Sequence, residues 1–294
     1  MATLLVGCAT RRYDTLNRHA SLADLQLRFS ALAASQRAVP ASTITIAGST
    51  ALLPLVKDAA EVYQKAHADV KISVAGGGSG IGICQVVAGA VDIGDSDILA
   101  PAHPELHDNR VAVIGFAIVT NPGVGVKNLS KKQLQDIFSG KATNWKEVDG
   151  ADQKIVVINR PRNSGTRAVF TKTVMCSTQV SESGLTEDAT ATVVGVVRQT
   201  LGAVSYAAFS RTRNSGLTEV SVDGVAPTND NVMTGKYPIW SYEHMFTLGV
   251  PTGEISRFIA SVQGSAELVR KHGLILVRDM KVKETDRLAG STED

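Results

Sequence analysis

The stretch Ile155–Phe170 reads IVVINRPRNSGTRAVF. Its first four residues, Ile155, Val156, Val157 and Ile158, form a short β-branched run, the pattern of a buried strand. Asn159 to Asn163 break that pattern with Pro161 and polar residues, and Ala168, Val169 and Phe170 open a helix. Between them lie Ser164, Gly165 and Thr166. A strand therefore runs into a hydroxyl-bearing elbow at a helix start. The first amides of a helix lack internal partners, and the helix dipole makes that end positive. Ser164 and Thr166 add hydroxyl donors, Gly165 lets a ligand approach the backbone, and Arg160 and Arg167 add guanidinium groups. These are the parts of an oxyanion cradle. Taken alone, an ordinary Ser/Thr N-cap is the simpler account.

The elbow has two companions. Thr43–Ala51, TITIAGSTA, is an alternating strand followed by Gly48, Ser49 and Thr50 before a helix over Leu52–Lys65. Ile72–Gly82, ISVAGGGSGIG, sets Ser79 among glycines ahead of a helix over Ile81–Gly89. Three elbows offering hydroxyls and free amides favour one shared anion site over three unrelated caps.

Working outward, short β-branched runs alternate with helical spacing. Val91–Asp97 is a short strand ending in acids, and Val111–Thr120 is the longest apolar run, one or two central strands. Leu129–Phe138 is a helix begun at Ser130 and stopped by Gly140. Val180–Thr192 is polar and reads as loop, Val193–Gln199 as helix, and Gly202–Tyr206 as strand. Helices are expected over 253–264 and 266–272. Alternating β and α predicts an α/β fold with a mainly parallel, doubly wound sheet.

Composition narrows the function classes. The chain has 294 residues, a hydrophobic fraction of 44% and a formal net charge of +2. That suits one large or two smaller globular domains. No Lys/Arg cluster marks a nucleic-acid face, and no apolar run approaches the roughly 20 residues that span a bilayer. Cys8, Cys84 and Cys176 are too few, and odd in number, for a disulfide framework. Cys84, on an apolar helix, is expected to be a buried structural thiol. No CxxC or HExxH spacing occurs, so no metal site is expected. His103 and His107 are four apart, but Pro101 and Pro104 predict a loop there rather than a zinc site.

Leu5-Val6-Gly7-Cys8 has the aliphatic–small–Cys form of a lipoprotein cleavage site, though only Met1–Leu4 precede it. Either a leader extends upstream or the match is fortuitous. Residues 9–40 are Arg-rich. Ser21 with Asp24 resembles a capping box, and Leu22, Leu25, Phe29 and Leu32 fall at helical spacing, ending at Pro40.

Five stretches in order, IAGSTALLPL, VAGGGSGIG, VDIGDSD, INRPRNSGTRAVF and GKYPIWSYEHMF, resemble the phosphate-binding proteins of bacterial phosphate ABC importers. The resemblance runs from about Thr43 to Phe258. It implies the bilobal periplasmic-binding-protein fold (type II): two doubly wound α/β lobes, joined by two crossing strands, with the ligand in the cleft between. The crossings would lie near Phe116–Thr120 and Pro238–Tyr242. An N-terminal segment, 1–41, would precede lobe 1 (42–117 plus 242–294) and lobe 2 (118–241). The aromatic run YPIWSY would then be hinge and core. Matched residue by residue, the ligand set is Thr50 and the amide of Ala51, Ser79, Asp97, and Arg160, Ser164, Gly165 and Thr166. Ser49 and Arg167 are adjacent contributors, and Asp95 has no assigned role. The resemblance also implies no cofactor and no catalysis. Its partners would be inorganic phosphate and a membrane permease, with the protein a monomer outside the cytoplasm, periplasmic or held by lipid at Cys8.

An aspartate suits an anion site only if the anion brings a proton. HPO4(2−) and H2PO4(−) carry a hydroxyl donor, and a carboxylate only accepts. Sulfate would face Asp97 with nothing to donate, and an unmatched buried polar group costs roughly 1–3 kcal/mol. A binding protein for sulfate or molybdate is the nearest alternative. A hydrolase using Ser79 is more remote, since Ile81 stands where G-x-S-x-G requires its last glycine. The dinucleotide and P-loop fingerprints are incomplete or missing.

Overall fold

Each elbow is a strand entering a helix, and the remaining elements build outward from these. The computed structural model describes residues 42–283, so Cys8 and the helix expected around Leu22–Leu32 lie outside the described residues. β1 (Ser42–Gly48) leads to α1 (Leu53–Ala66), and β2 (Val70–Gly76) to α2 (Ser79–Val87). β3 (Ile93–Ser96) and the long β4 (Leu106–Thr120) follow. After β5 (Asn128–Leu129) comes α3 (Lys131–Ser139), then β6 (Val156–Asn159) and α4 (Gly165–Phe170), which continues as a π-helical turn over Thr171–Met175. β7 (Leu185–Thr186), α5 (Thr190–Gln199), β8 (Ala203–Ala208), α6 (Phe209–Thr212), β9 (Thr218–Val222) and α7 (Asn229–Met233) lead to β10 (Trp240–Leu248). The last helices are α8 (Gly253–Gly264) and α9 (Ala266–Lys271).

Local chemistry explains the ends. Ser130 caps α3 as its sequence predicts: Ser130 Oγ accepts from Gln133 N at 3.1 Å, and Gln133 Oε1 accepts from Ser130 N at 2.8 Å. On α1 the residues at helical spacing, Leu55, Val56, Ala59, Ala60 and Tyr63, are the buried ones.

The strands form one sheet in the order β2-β1-β3-β10-β4-β8-β6-β7. It is mixed, which corrects the expectation of a mainly parallel sheet. β1 is parallel to β2 and β3, and β6 to β7 and β8. The middle is antiparallel: β10 against β3 and β4, and β4 against β8 and β9. A β–α alternation reports local crossovers only. The long returns that bring β10 beside β3 and β4 leave no such pattern. β4 changes partner along its length, pairing with β10 through Gly115 and with β8 from Phe116. The change falls inside the apolar run that the sequence singled out.

Tyr237, Ile239 and Trp240 are fully buried, and the Tyr237 hydroxyl donates to Phe116 O at 2.9 Å. The aromatic run is thus core at the meeting of β4 and β10. Phe138, Phe170 and Tyr206 form a second aromatic cluster, with Phe170 stacked on Tyr206 at 4.2 Å between ring centres.

Three local readings change. Cys84 is exposed, because α2 turns Ile83 and Val86 inward instead. His107 lies within β4 rather than in a loop. The polar stretch 180–192 is not all loop, since it holds β7 and the start of α5.

Candidate functional site

Asp97, just past the end of β3, is the hub of the site. It is 2% exposed. Thr166 Oγ1, in the first turn of α4, donates to its Oδ2 at 2.9 Å, and Ser49 Oγ donates to its Oδ1. Its own amide donates to Ser79 Oγ at 2.9 Å, and Ser241 Oγ, from β10, donates to its carbonyl at 2.6 Å. Four other segments of chain thus converge on this one residue.

The three elbows use their hydroxyls differently. Ser49 Oγ accepts from Ala51 N and Leu52 N, each at 3.1 Å, so it caps the entry to α1 while donating to Asp97. Ala51 accordingly presents an amide already bonded to Ser49. Ser79 begins α2 and turns its hydroxyl to the Asp97 backbone. Ser164 is the N-cap of α4, where its Oγ accepts from Arg167 N at 3.2 Å. Gly48 holds φ +145, a conformation that favours glycine, and a Cβ there would strike the Asp95 backbone.

Arg160 is 1% exposed, although its charge is nowhere matched by a bonded carboxylate among the described residues. Its Nε donates to Glu187 O at 2.9 Å and its Nη2 to Asp188 O at 2.9 Å and Thr50 Oγ1 at 3.2 Å. Burial pulls its pKa below the ordinary value, and the field of Asp97 opposes that pull. Arg167 stands behind it, donating to Arg160 O at 2.7 Å and pairing with Glu182 at 2.9 Å. Arg167 therefore supports the backbone of Arg160.

Of the ligand set drawn from the sequence, Ser49, Ser79 and Thr166 each bond Asp97 directly, and Thr50 and Arg160 bond each other. Gly165 fits tightly: a Cβ built on it would stand 2.8 Å from Asp97 Cβ and closer still to the Ser79 hydroxyl. Four participants were not anticipated. Thr190 is fully buried, 3.2 Å from Thr50 Oγ1 and 3.4 Å from Arg160 Nη1. Asn163 donates to Gly77 O at 3.1 Å and accepts from Gly80 N at its carbonyl. Ser241 and Glu243 come from β10. Thr190 was hidden in a Ser/Thr-rich stretch, whereas an acid inside the apolar strand WSYEHMF was a visible signal for Glu243.

Asp95 and Glu243 are also buried. Desolvation raises the pKa of each well above its ordinary value, and the Asp97 charge adds to the effect. No group of three metal-ligating side chains occurs among the described residues. The site is one strong cation, several hydroxyls and backbone amides around a buried carboxylate, suited to an oxyanion that carries a proton.

A PBP superfamily domain model matches residues 33–264. The chain is 45% identical over 248 residues to the phosphate-binding protein PstS of Bacillus subtilis, covering 82% of each. A Clostridium perfringens structure with bound phosphate matches at a TM-score of 0.76 and 29% identity, covering 80% of this chain and 99% of that one. An ABC-type phosphate transport receptor from Vibrio cholerae matches at a TM-score of 0.66 and 29% identity, covering 79% of this chain and 99% of that one.

Proposed function

The chain belongs to the PBP superfamily and, within it, to the phosphate-binding proteins of bacterial phosphate ABC transporters, and from that premise we propose that it captures inorganic phosphate and delivers it to a membrane permease. The fold is the bilobal one of that family. We assign lobe 1 to 42–117 with 242–294 and lobe 2 to 118–241, in keeping with the partner change of β4 after Gly115. Phosphate would sit where Asp97 meets Thr166, with Thr50 and the Ala51 amide, Ser79 and Gly165 around it and Arg160 balancing its charge. Ser49 and Ser164 support this set as caps. Donors from both lobes are needed, so binding and lobe closure are one event.

The observation that carries this reading is the buried Asp97 carboxylate among hydroxyls and Arg160. A carboxylate accepts the proton of HPO4(2−) and repels an aprotic dianion. That disfavours sulfate and molybdate. The Ser79 hydroxyl accepts from the Asp97 amide, and no histidine bonds it among the described residues, which disfavours a hydrolytic nucleophile. We assign a non-catalytic, monomeric protein outside the cytoplasm, periplasmic or lipid-held at Cys8.

The test is calorimetric titration of phosphate-stripped protein with phosphate, with sulfate as competitor. Tight one-to-one phosphate binding that sulfate does not disturb is expected. Preferred binding of sulfate or molybdate would keep the fold and change the ligand, and no anion binding would overturn the reading.

A further inference from the structure

Glu243 is fully buried on β10, and neither of its carboxyl oxygens receives a hydrogen bond from any described donor. Its position is set by register. β10 and β3 pair His244 with Ser96 and Met245 with Asp95, so the next step along the antiparallel ladder sets Glu243 across from Asp97. Alternation puts Asp95, Asp97 and Glu243 on the same face of the sheet. Gly94 and Phe246 face the other way, towards α2. Ser241, two residues before Glu243, already reaches the Asp97 carbonyl from this face. A bulge between Glu243 and His244 locally offsets the pairing of β10 with β4.

The charged groups acting on Glu243 are therefore acidic. Asp95 and Asp97 face it from β3. Ala112 lies opposite on β4. Among the described residues it has no cation: His244 points elsewhere and bonds Asp108, and Arg160 acts on Asp97. The register sets its carboxyl beside that of Asp97 on one face of the sheet. Two neighbouring carboxyls can bond each other only through a proton held on one of them.

We propose, on the reading that the cleft binds phosphate, that Glu243 is a positioning residue of the site: as a neutral carboxylic acid it donates to Asp97 and fixes that carboxylate as the acceptor for the ligand's proton. The arrangement has two consequences. Asp97 stays a single negative charge with its acceptor sites oriented by Ser49, Thr166 and Glu243. Removing the proton from Glu243 would place a second negative charge beside Asp97 and oppose the entry of an anion. Asp95, on the same face and without a bond to its Oδ1, adds to that repulsion when it ionises.

The test compares the parent with Glu243→Gln and Glu243→Met by titration with phosphate and with sulfate, each protein checked for its fold by circular dichroism. Binding is also followed as the pH is raised through the alkaline range in which the ligand stays HPO4(2−), so that only protein groups titrate. In the parent, affinity should fall as Glu243 ionises, and Glu243→Gln should flatten the fall. Glu243→Met, which has no donor, should weaken phosphate binding about tenfold and narrow the margin over sulfate, and Glu243→Gln should recover most of that affinity. Unchanged binding by Glu243→Met, or a Glu243→Gln profile that tracks the parent, would overturn the inference while leaving phosphate binding in place. If Glu243→Met does not fold, the Glu243→Gln profile alone decides. A parent that binds no phosphate would overturn the underlying reading and this inference with it.

Discussion

Thr166 Oγ1 donates to Asp97 Oδ2 at 2.9 Å, joining the first turn of α4 to the end of β3 across the cleft. The bond ties the two sides of the molecule through the one acid best able to sense a proton on the ligand. Several measurable outcomes depend on it.

Asp97→Asn replaces two acceptor oxygens with one acceptor and an amide donor. Ser49 and Thr166 both donate to the carboxylate, so one hydroxyl must turn round to accept. Phosphate binding should weaken by about 1–2 kcal/mol, roughly tenfold, while sulfate gains a donor and begins to compete. Competition titration reads both effects. A variant that still rejects sulfate would remove this role from Asp97.

The two arginines should differ. Arg160 reaches Thr50 and the carbonyls of Glu187 and Asp188 from a fully buried position, whereas Arg167 braces the Arg160 carbonyl and pairs with the half-exposed Glu182. Arg160→Ala should reduce phosphate affinity about a hundredfold, the scale of a lost charge-assisted bond. Arg167→Ala should cost about tenfold or less, since Arg167 acts on the ligand only through the Arg160 carbonyl and its partner Glu182 is half-exposed. The reverse order in titration would reassign the cleft cation.

Gly165→Ala tests the closeness of the two sides. The residue has helical geometry at the start of α4, so alanine suits the local backbone, but its Cβ would press on Ser79 and Asp97. Overpacking of this kind costs about 1–3 kcal/mol, here drawn from the approach of α4 to β3 and α2. Affinity should fall about tenfold or more with little change in the circular dichroism spectrum. Parental affinity would mean the two sides need not approach so closely.

Asp95→Asn addresses stability. Burial, and then the neighbouring Asp97 charge, raise the pKa of Asp95 in the folded chain. Between the ordinary carboxyl pKa and that raised value, the folded chain binds more protons than the unfolded one, so stability falls as pH rises through the window. The asparagine variant cannot ionise there. It should be more stable than the parent at neutral pH by about 1–3 kcal/mol, and the gain should shrink as pH approaches 4. Thermal melts across pH measure the difference, and an equal offset at every pH would contradict the assignment.

Much of this was legible in the sequence because the site is built from local devices. Gly48 to Ala51, Ser79 and Ser164 to Thr166 each follow a strand and open a helix, so their hydroxyls and amides could be read from short windows. What the windows lacked was pairing at long range. The antiparallel centre depends on β10 returning beside β3 and β4, and Ser241 and Glu243 reach Asp97 only through that return. The exposure of Cys84 was missed for a related reason. An apolar helix does not declare which of its sides faces the core when nearly every residue is apolar or small.

The position of β10 between β3 and β4 also governs how the chain acquires its site. The strand that carries the approach to Asp97 has a bare edge until residues 240–248 have been synthesised and have found it. Contacts between such distant parts of a chain raise the relative contact order and slow folding. Refolding followed by tryptophan fluorescence should show Trp240, buried on β10, entering its final environment in the slowest phase. A newly made chain thus passes through an interval in which half of the sheet is still incomplete. Until β10 docks, Ser241 and Glu243 are missing from the side of Asp97, and the chain has no complete place to hold an anion.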